Sequence, residues 1–166
     1  MLFRSVINEN FDYKSHIKLS NSHTRYIDPL YNNAQGFQDD RYTQNEAYWN
    51  NILSWHNAEH LSLTLTNDLA LSSLAAKNNY NFDPLRFSSL TALIAAYKKD
   101  IFIFDFNILH TATKDYATLH KAFAPQNHFS PFASIGISTR YFDAAFFFKD
   151  IFRLPTFNDL YYNAVG

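Results

Sequence analysis

The sequence predicts an all-β fold: an antiparallel, up-and-down segment of about eight strands, of the transmembrane β-barrel kind. Three observations carry this expectation. Apolar and polar residues alternate with period two through most of the chain, which puts them on opposite faces of a strand. Several alternating segments run well past the 5 or 6 residues of an ordinary globular strand and suit a tilted membrane crossing. The gaps between them are short and long by turns, the layout of a barrel with tight turns at one end and long loops at the other.

In chain order, the spacing predicts strands over 2–8, 11–24, 46–56, 60–75, 85–98, 101–114, 128–139 and 141–153. The second sets Tyr13, Ile17 and Leu19 against Lys14, His16 and Lys18. The fourth has the cleanest pattern, with Leu61, Leu63, Leu65, Leu69 and Leu71 on one parity and Ser62, Thr64, Thr66, Asp68 and Ser72 on the other. The sixth opposes Phe102, Phe104, Phe106 and Ile108 to Ile103, Asp105, Asn107 and Leu109. The eighth opposes Phe142, Ala144, Phe146, Phe148 and Phe152 to Asp143, Lys149 and Arg153, with Asp150 breaking the apolar parity near its end. The segments "SSLTALIAAYKK" and "SPFASIGIST" are weaker members of the set.

Tight turns are expected at 8–10, 57–60, 98–101 and 139–142, and polar loops at 28–47, 77–84 and 116–127. Hydrocarbon leaves no water for unpaired backbone groups, so spanning strands require a barrel wall without free edges.

Composition agrees with a large apolar surface. Aromatic residues make up 18% of the 166 residues, with 17 Phe and 11 Tyr, against 3 Gly and no Cys. A net charge of -1 offers no basic field for nucleic acid, and the absence of Cys removes disulfides and thiolate metal sites. No apolar run reaches the roughly 18 to 20 residues of a membrane helix, and the first residues do not read as a secretory signal.

The residue types for catalysis are not grouped as chemistry would require. The seven histidines, His16, His23, His56, His60, His110, His120 and His128, are scattered, and solvent-facing loop positions are expected for them. His56 and His60 alone are closely spaced, across a turn and not on a helix with a general base between them. No phosphate-binding glycine loop or nucleophile elbow is present. Asp105, Asp143, Lys149 and Arg153 share the polar parity and are expected on a wet wall together with Thr64 and Asn107. The apolar set, Leu61, Leu63, Leu65, Phe102, Phe104, Phe106, Phe146 and Phe148, is expected to face lipid. Trp49, Trp55, Tyr97 and Tyr141 are expected near strand ends, where headgroup-level aromatic girdles lie. No enzyme activity and no cofactor are expected.

The stretch "KDIFRLPTFNDLYY", Lys149 to Tyr162, resembles the barrel signature of TonB-dependent outer-membrane receptors: Phe-Arg-x-Pro-Thr, two variable residues, an acidic residue, Leu and an aromatic. Phe152, Arg153, Leu154, Pro155, Thr156, Phe157, Asn158, Asp159, Leu160 and Tyr161 fill those positions. The upstream segments "YWNNILSW", "DPLRFSSLTALIAAY" and "SPFASIGIST" are similar in order and spacing to the Bacteroidetes-type members.

This resemblance implies a barrel of about 22 strands closed by a plug, in the cell outer membrane. Such receptors import a scarce ligand, such as a siderophore, cobalamin or a glycan, and are energised through the TonB complex. The plug and TonB-contacting segment are missing from the 166 residues, as is the stretch that usually follows the signature. The expectation is therefore a partial receptor barrel, not transport-competent alone. Its partners would be membrane lipid, the remaining barrel strands and the plug, with the TonB complex reached only through that plug and no nucleic acid. Two alternatives stay open: a self-contained eight-stranded barrel closing through Phe3–Ile7 against Phe146–Phe152, and a soluble lipocalin-like binding barrel.

Overall fold

The computed structural model describes residues 2–30, 37–56, 60–77, 83–116 and 124–157. It contains eight strands: β1 Leu2–Asn8, β2 Phe11–Asp28, β3 Gln38–His56, β4 Leu61–Lys77, β5 Leu85–Lys99, β6 Phe102–Tyr116, β7 Gln126–Ser138 and β8 Asp143–Lys149. They form one antiparallel sheet in sequence order, so the fold is all-β and up-and-down.

The turns have identifiable causes. At the β1–β2 turn the Asn8 side-chain oxygen accepts hydrogen bonds from the backbone N–H groups of Asn10 and Phe11, both at 2.9 Å. Between β5 and β6, Asp100 takes a positive φ of 53°, a left-handed conformation that Asp tolerates better than most residues. At the β7–β8 turn the Thr139 hydroxyl oxygen accepts from the N–H groups of Tyr141 and Phe142. Hydroxyl and carboxamide side chains here replace backbone partners in the turn.

The pairing register propagates one sorting across the sheet. Leu61 lies opposite Tyr97, Tyr97 opposite Phe104, Phe104 opposite Ile135, and Ile135 opposite Phe146. Residues paired in this way share a face, here the apolar one. The other face carries Thr64, Asp68, Asp105, Asn107, Ser134 and Lys149, interrupted by Ile94, Leu109 and Phe132.

Four expectations need correction. Strands β2 and β3 run on to Asp28 and from Gln38, so most of the expected loop 28–47 is a paired hairpin. Its residues are polar on both faces and show no alternation. Cross-strand side-chain bonds take the place of apolar contact: Asn21 to Asn45, His23 with Thr43 at 3.0 Å, and Arg25 to Asp39 at 2.6 and 2.8 Å. Second, β8 ends at Lys149 and not at 153, for reasons given below.

Third, no pairing joins β1 to β8 among the described residues, and the sheet is open. The eight strands do not close on themselves. Fourth, the apolar set is not the interior of a lipocalin-like barrel, because Leu65, Phe104, Phe106 and Phe146 are exposed.

Burial is concentrated on the polar face, at the end where the long connections lie. Asp40, Leu74, Ala76, Ser88, Thr111, Thr113, Asp115 and Ser130 are buried and share that face. Their cover is the chain itself. After β8, residues 150–157 leave the sheet and cross the polar face.

Candidate functional site

Two surfaces carry the functional reading, and the first is the apolar face. The register puts Leu61, Leu63 and Leu65 of β4, Phe102, Phe104 and Phe106 of β6, and Phe146 and Phe148 of β8 on it. Trp49, Trp55, Leu53, Tyr97 and Ile135 share this face. Large side chains stay open to solvent, with Phe104 40%, Phe106 44% and Phe146 82% exposed. Soluble monomers rarely leave contiguous apolar patches larger than a few hundred Å².

The apolar band has a measurable height. From Leu61 to Leu71 the apolar parity of β4 is broken only at Asn67, which donates to Thr91 at 2.8 Å, and this stretch is about 33 Å along the strand at roughly 3.3 Å per residue. At a tilt near 40° this projects to about 25 Å, the height of the outward band of outer-membrane barrels. Within the band, Ile17, Ala47, Trp49, Leu69, Leu71 and Phe87 border an open recess of about 260 Å³.

The aromatic residues expected at strand ends divide. Tyr97 lies at the short-turn end, with its ring 6.1 Å from Phe104 and 6.2 Å from His60. Trp55 is opposite Phe11 at the same end, and Tyr141 is in the β7–β8 turn. Trp49 is not at a strand end, because β3 begins at Gln38. It sits instead where the apolar part of β3 gives way to Asn45, and its indole N–H donates to the Ser15 hydroxyl at 2.8 Å.

The second surface is the polar face with the segment that crosses it. Thr64, Asp105, Asn107, Asp143 and Lys149 are on this face. Thr64 donates to Ser54 at 3.2 Å, and Asp105 accepts from Ser134 at 3.0 Å. Asp143 and Lys149 are exposed.

The described signature residues, Phe152, Arg153, Pro155 and Thr156, are on the crossing segment and not on a strand, and Asn158, Asp159, Leu160 and Tyr161 lie outside the described residues. Phe152 does not continue the outward row of Phe146 and Phe148. Its ring stacks on His128 of the polar face, centroids 4.4 Å apart. Arg153 accordingly is not part of a strand wall.

The segment is anchored by residues that the motifs did not single out. The Arg86 guanidinium donates two parallel bonds to Asp115, each of 2.7 Å, and a third to the Pro155 carbonyl. The Phe157 ring lies over that guanidinium, 4.8 Å from it, and is buried against Leu74, Ala76 and Tyr42. The Arg86 and Asp115 side chains are 11% and 3% exposed, so the pair is largely shielded from water. A bidentate, planar pairing of this kind fixes geometry as well as charge.

A signal for this pair was available. The turn at 98–101 fixes the β5–β6 register, and continuing it along both strands puts Arg86 opposite Asp115.

His60 is exposed in the β3–β4 connection, as expected, whereas His16, His23, His56, His110 and His128 are in strands, and His120 lies outside the described residues. Among the described residues no three His, Cys, Asp or Glu side chains group as a metal site would require. No helix is long and apolar enough to cross a membrane, which has no bearing on crossing by strands.

Charge is grouped also at the tip of the β2–β3 hairpin, beyond the apolar band. Asp39 sits between Arg25 and Arg41, and these two guanidinium groups, Arg25 foremost, hold its carboxyl well below the usual carboxylate range. No protein-family model matches the chain, and no curated protein matches it.

Proposed function

We propose that this chain is part of the wall of an outer-membrane β-barrel of the TonB-dependent receptor kind, which takes up a scarce ligand. In this reading the apolar face meets lipid and the polar face lines the lumen. The observation that carries it is the apolar face, from Phe11 and Trp55 across to Phe146, on an open antiparallel sheet with no layer packed against it among the described residues. One polar row crosses it, Ser15, Asn51, Asn67, Thr91 and His110, in which Ser15 donates to Asn51 and Asn67 to Thr91. Burying such a face in a bilayer needs no counter-surface of protein, and its height agrees with the hydrocarbon core.

Further strands would pair with β1 and β8, which are the edges of the eight-stranded sheet among the described residues. An unprotected edge bearing three consecutive Phe is otherwise an invitation to aggregation. The identity of the receptor family rests on the resemblance of the Phe152–Phe157 stretch and its continuation. Ligand uptake and energising through the TonB complex follow from that resemblance and would need the plug and remaining strands.

The test uses the chain's two Trp residues, Trp49 and Trp55, both on the apolar face. The full chain is folded into phosphatidylcholine vesicles with brominated acyl chains. The expected result is strong quenching relative to vesicles of the unbrominated lipid. Emission unchanged by bromination, with the chain bound to the vesicles, contradicts the lipid-facing assignment.

A further inference from the structure

We propose that residues 150–157 are a two-position strap: docked across the polar face as described above, and able to move residues 150–154 onto the free upper edge of β7, where they lengthen β8. The opening role of this movement rests on the reading of the polar face as a lumen wall. The existence of two positions does not.

Four observations point to it. The first is that, among the described residues, no strand pairs with the matching edge. Strand β7 pairs with β6 up to Gln126, but with β8 only as far as Phe132 opposite Lys149. Continuing that register would set Asp150 opposite Pro131, Ile151 opposite Ser130, Phe152 opposite Phe129, and Arg153 opposite His128.

The second is why the chain leaves where it does. The Asp150 N–H donates to the Pro131 carbonyl at 3.0 Å, but Pro131 has no N–H to return. One rung is therefore half made, and a strand missing a rung has a natural point of departure. Beyond it, the residues of β7 from Ser130 upward are not proline and retain their donors.

The third is that the sequence of the strap suits a strand. The alternation of β8 continues through Phe152, so a lengthened β8 would bring Phe152 to the apolar face beside Phe129, which is 59% exposed. Arg153 would then share the polar face with His128. Pro155, again lacking an N–H, is the residue at which the ladder would stop.

The fourth is that the docked position leaves polar groups unsatisfied on this very stretch. Gln126 Oε1 and His128 Nε2 are buried side-chain atoms without a hydrogen-bond partner, with the Asp150 carboxylate 3.5 Å from the latter and poorly directed. Unpaired buried polar atoms raise the energy of the state that buries them. Against them stand the contacts of the docked strap: Phe152 on His128, the Pro155 carbonyl on Arg86, and Phe157 in its cluster. Moving the strap would uncover the Arg86–Asp115 pair and the buried wall beside it, opening the long-connection end of the polar face.

The chain has no Cys, so paired cysteines report without background. In the docked strap Phe152 is on the polar side of β7 and Phe129 on the apolar side. A Phe129→Cys/Phe152→Cys disulfide therefore requires the lengthened strand, whose directly opposed Cα atoms at about 5.5 Å fall within disulfide reach. A control pair, Ile135→Cys/Phe146→Cys, joins residues already opposite in β7 and β8. With the full chain in lipid vesicles under mild oxidation, the control is expected to cross-link at once. The Phe129/Phe152 pair is expected to cross-link more slowly, and several-fold faster when Arg86→Ala removes the anchor. Failure of that pair to cross-link in both backgrounds, while the control forms in each, overturns the proposal. The readout is a bond within one hairpin, so it is independent of ligand uptake and of the lipid-quenching result.

Discussion

The long-connection end of this sheet is held together in two different ways. In the upper β2–β3 hairpin, roughly Asn21–Asp28 and Gln38–Asn45, the face that carries Arg25 and Asp39 is largely open, and the strands are joined on it by a ladder of polar side chains, Asn21–Asn45, His23–Thr43 and Arg25–Asp39. In the upper parts of β4 to β7 the same end of the sheet is covered on its polar face by the strap, and the Arg86–Asp115 pair is enclosed beneath it. The lesson is that burial, not the number of ion pairs, decides what a charge is worth. An exposed pair is screened by water and contributes little. An enclosed one is severe to break, because its survivor is stranded.

The sharpest way to break this comparison is Arg86→Met. It leaves Asp115, with its side chain 3% exposed, without its guanidinium partner, and is expected to cost about 3–5 kcal/mol. The measurement is the urea midpoint of the chain folded in lipid. Replacing both partners, Arg86→Met with Asp115→Leu, is expected to recover much of that loss, since no charge is then stranded. A double variant as unstable as the single one would show that the pair's worth lies in the Pro155 and Phe157 contacts.

The counterpart in the exposed hairpin is Arg25→Ala, for which no resolvable shift of the same midpoint is expected. A shift rivalling that of Arg86→Met would erase the distinction between the two regions.

Acid provides a finer comparison. The Asp39 carboxyl titrates lower in the folded hairpin than its ordinary value of 3.8, so the contribution it makes is complete above that value and is lost as pH falls toward the folded one. Amide exchange at the hairpin tip, corrected for intrinsic rates, is expected to keep its protection from neutral pH to about pH 5 and to lose it progressively below about pH 4. In Asp39→Asn this acid-dependent loss is expected to disappear. A parent tip that is indifferent to acid contradicts the assignment of the charge cluster.

The contrast also explains how much was legible in the residues alone. Alternation is the imprint of one face being apolar, so the Leu row of β4 and the Phe row of β6 announced their strands, and turn residues such as Asn8, Asp100 and Thr139 announced the hairpins. The β2–β3 hairpin above Thr24 is largely polar on both sides and has no period to detect, so residues 28–47 read as loop in the sequence. The strap failed in the opposite sense. Its residues do alternate, through Phe152, and the choice between strand and strap is made by Pro131, Arg86 and Asp115, which are far away in sequence. The Arg86–Asp115 pair was within reach of hairpin register, but not of motif or composition. Phe157 became an anchor only through contacts with β3, β4 and β5.

The central claim, that the apolar face meets hydrocarbon and the polar face does not, is tested most directly by arginine on either side of one strand. Phe104 and Asn107 are both on β6, three positions apart and on opposite faces. Insertion of Phe104→Arg and Asn107→Arg into lipid vesicles is measured against the parent chain. The account predicts a measurable loss for Phe104→Arg, smaller than the roughly 2–4 kcal/mol of a bilayer-midplane site because its register partner Tyr97 is at the short-turn end, with Asn107→Arg close to the parent. Equal losses for the two variants, or a larger one for Asn107→Arg, would contradict it.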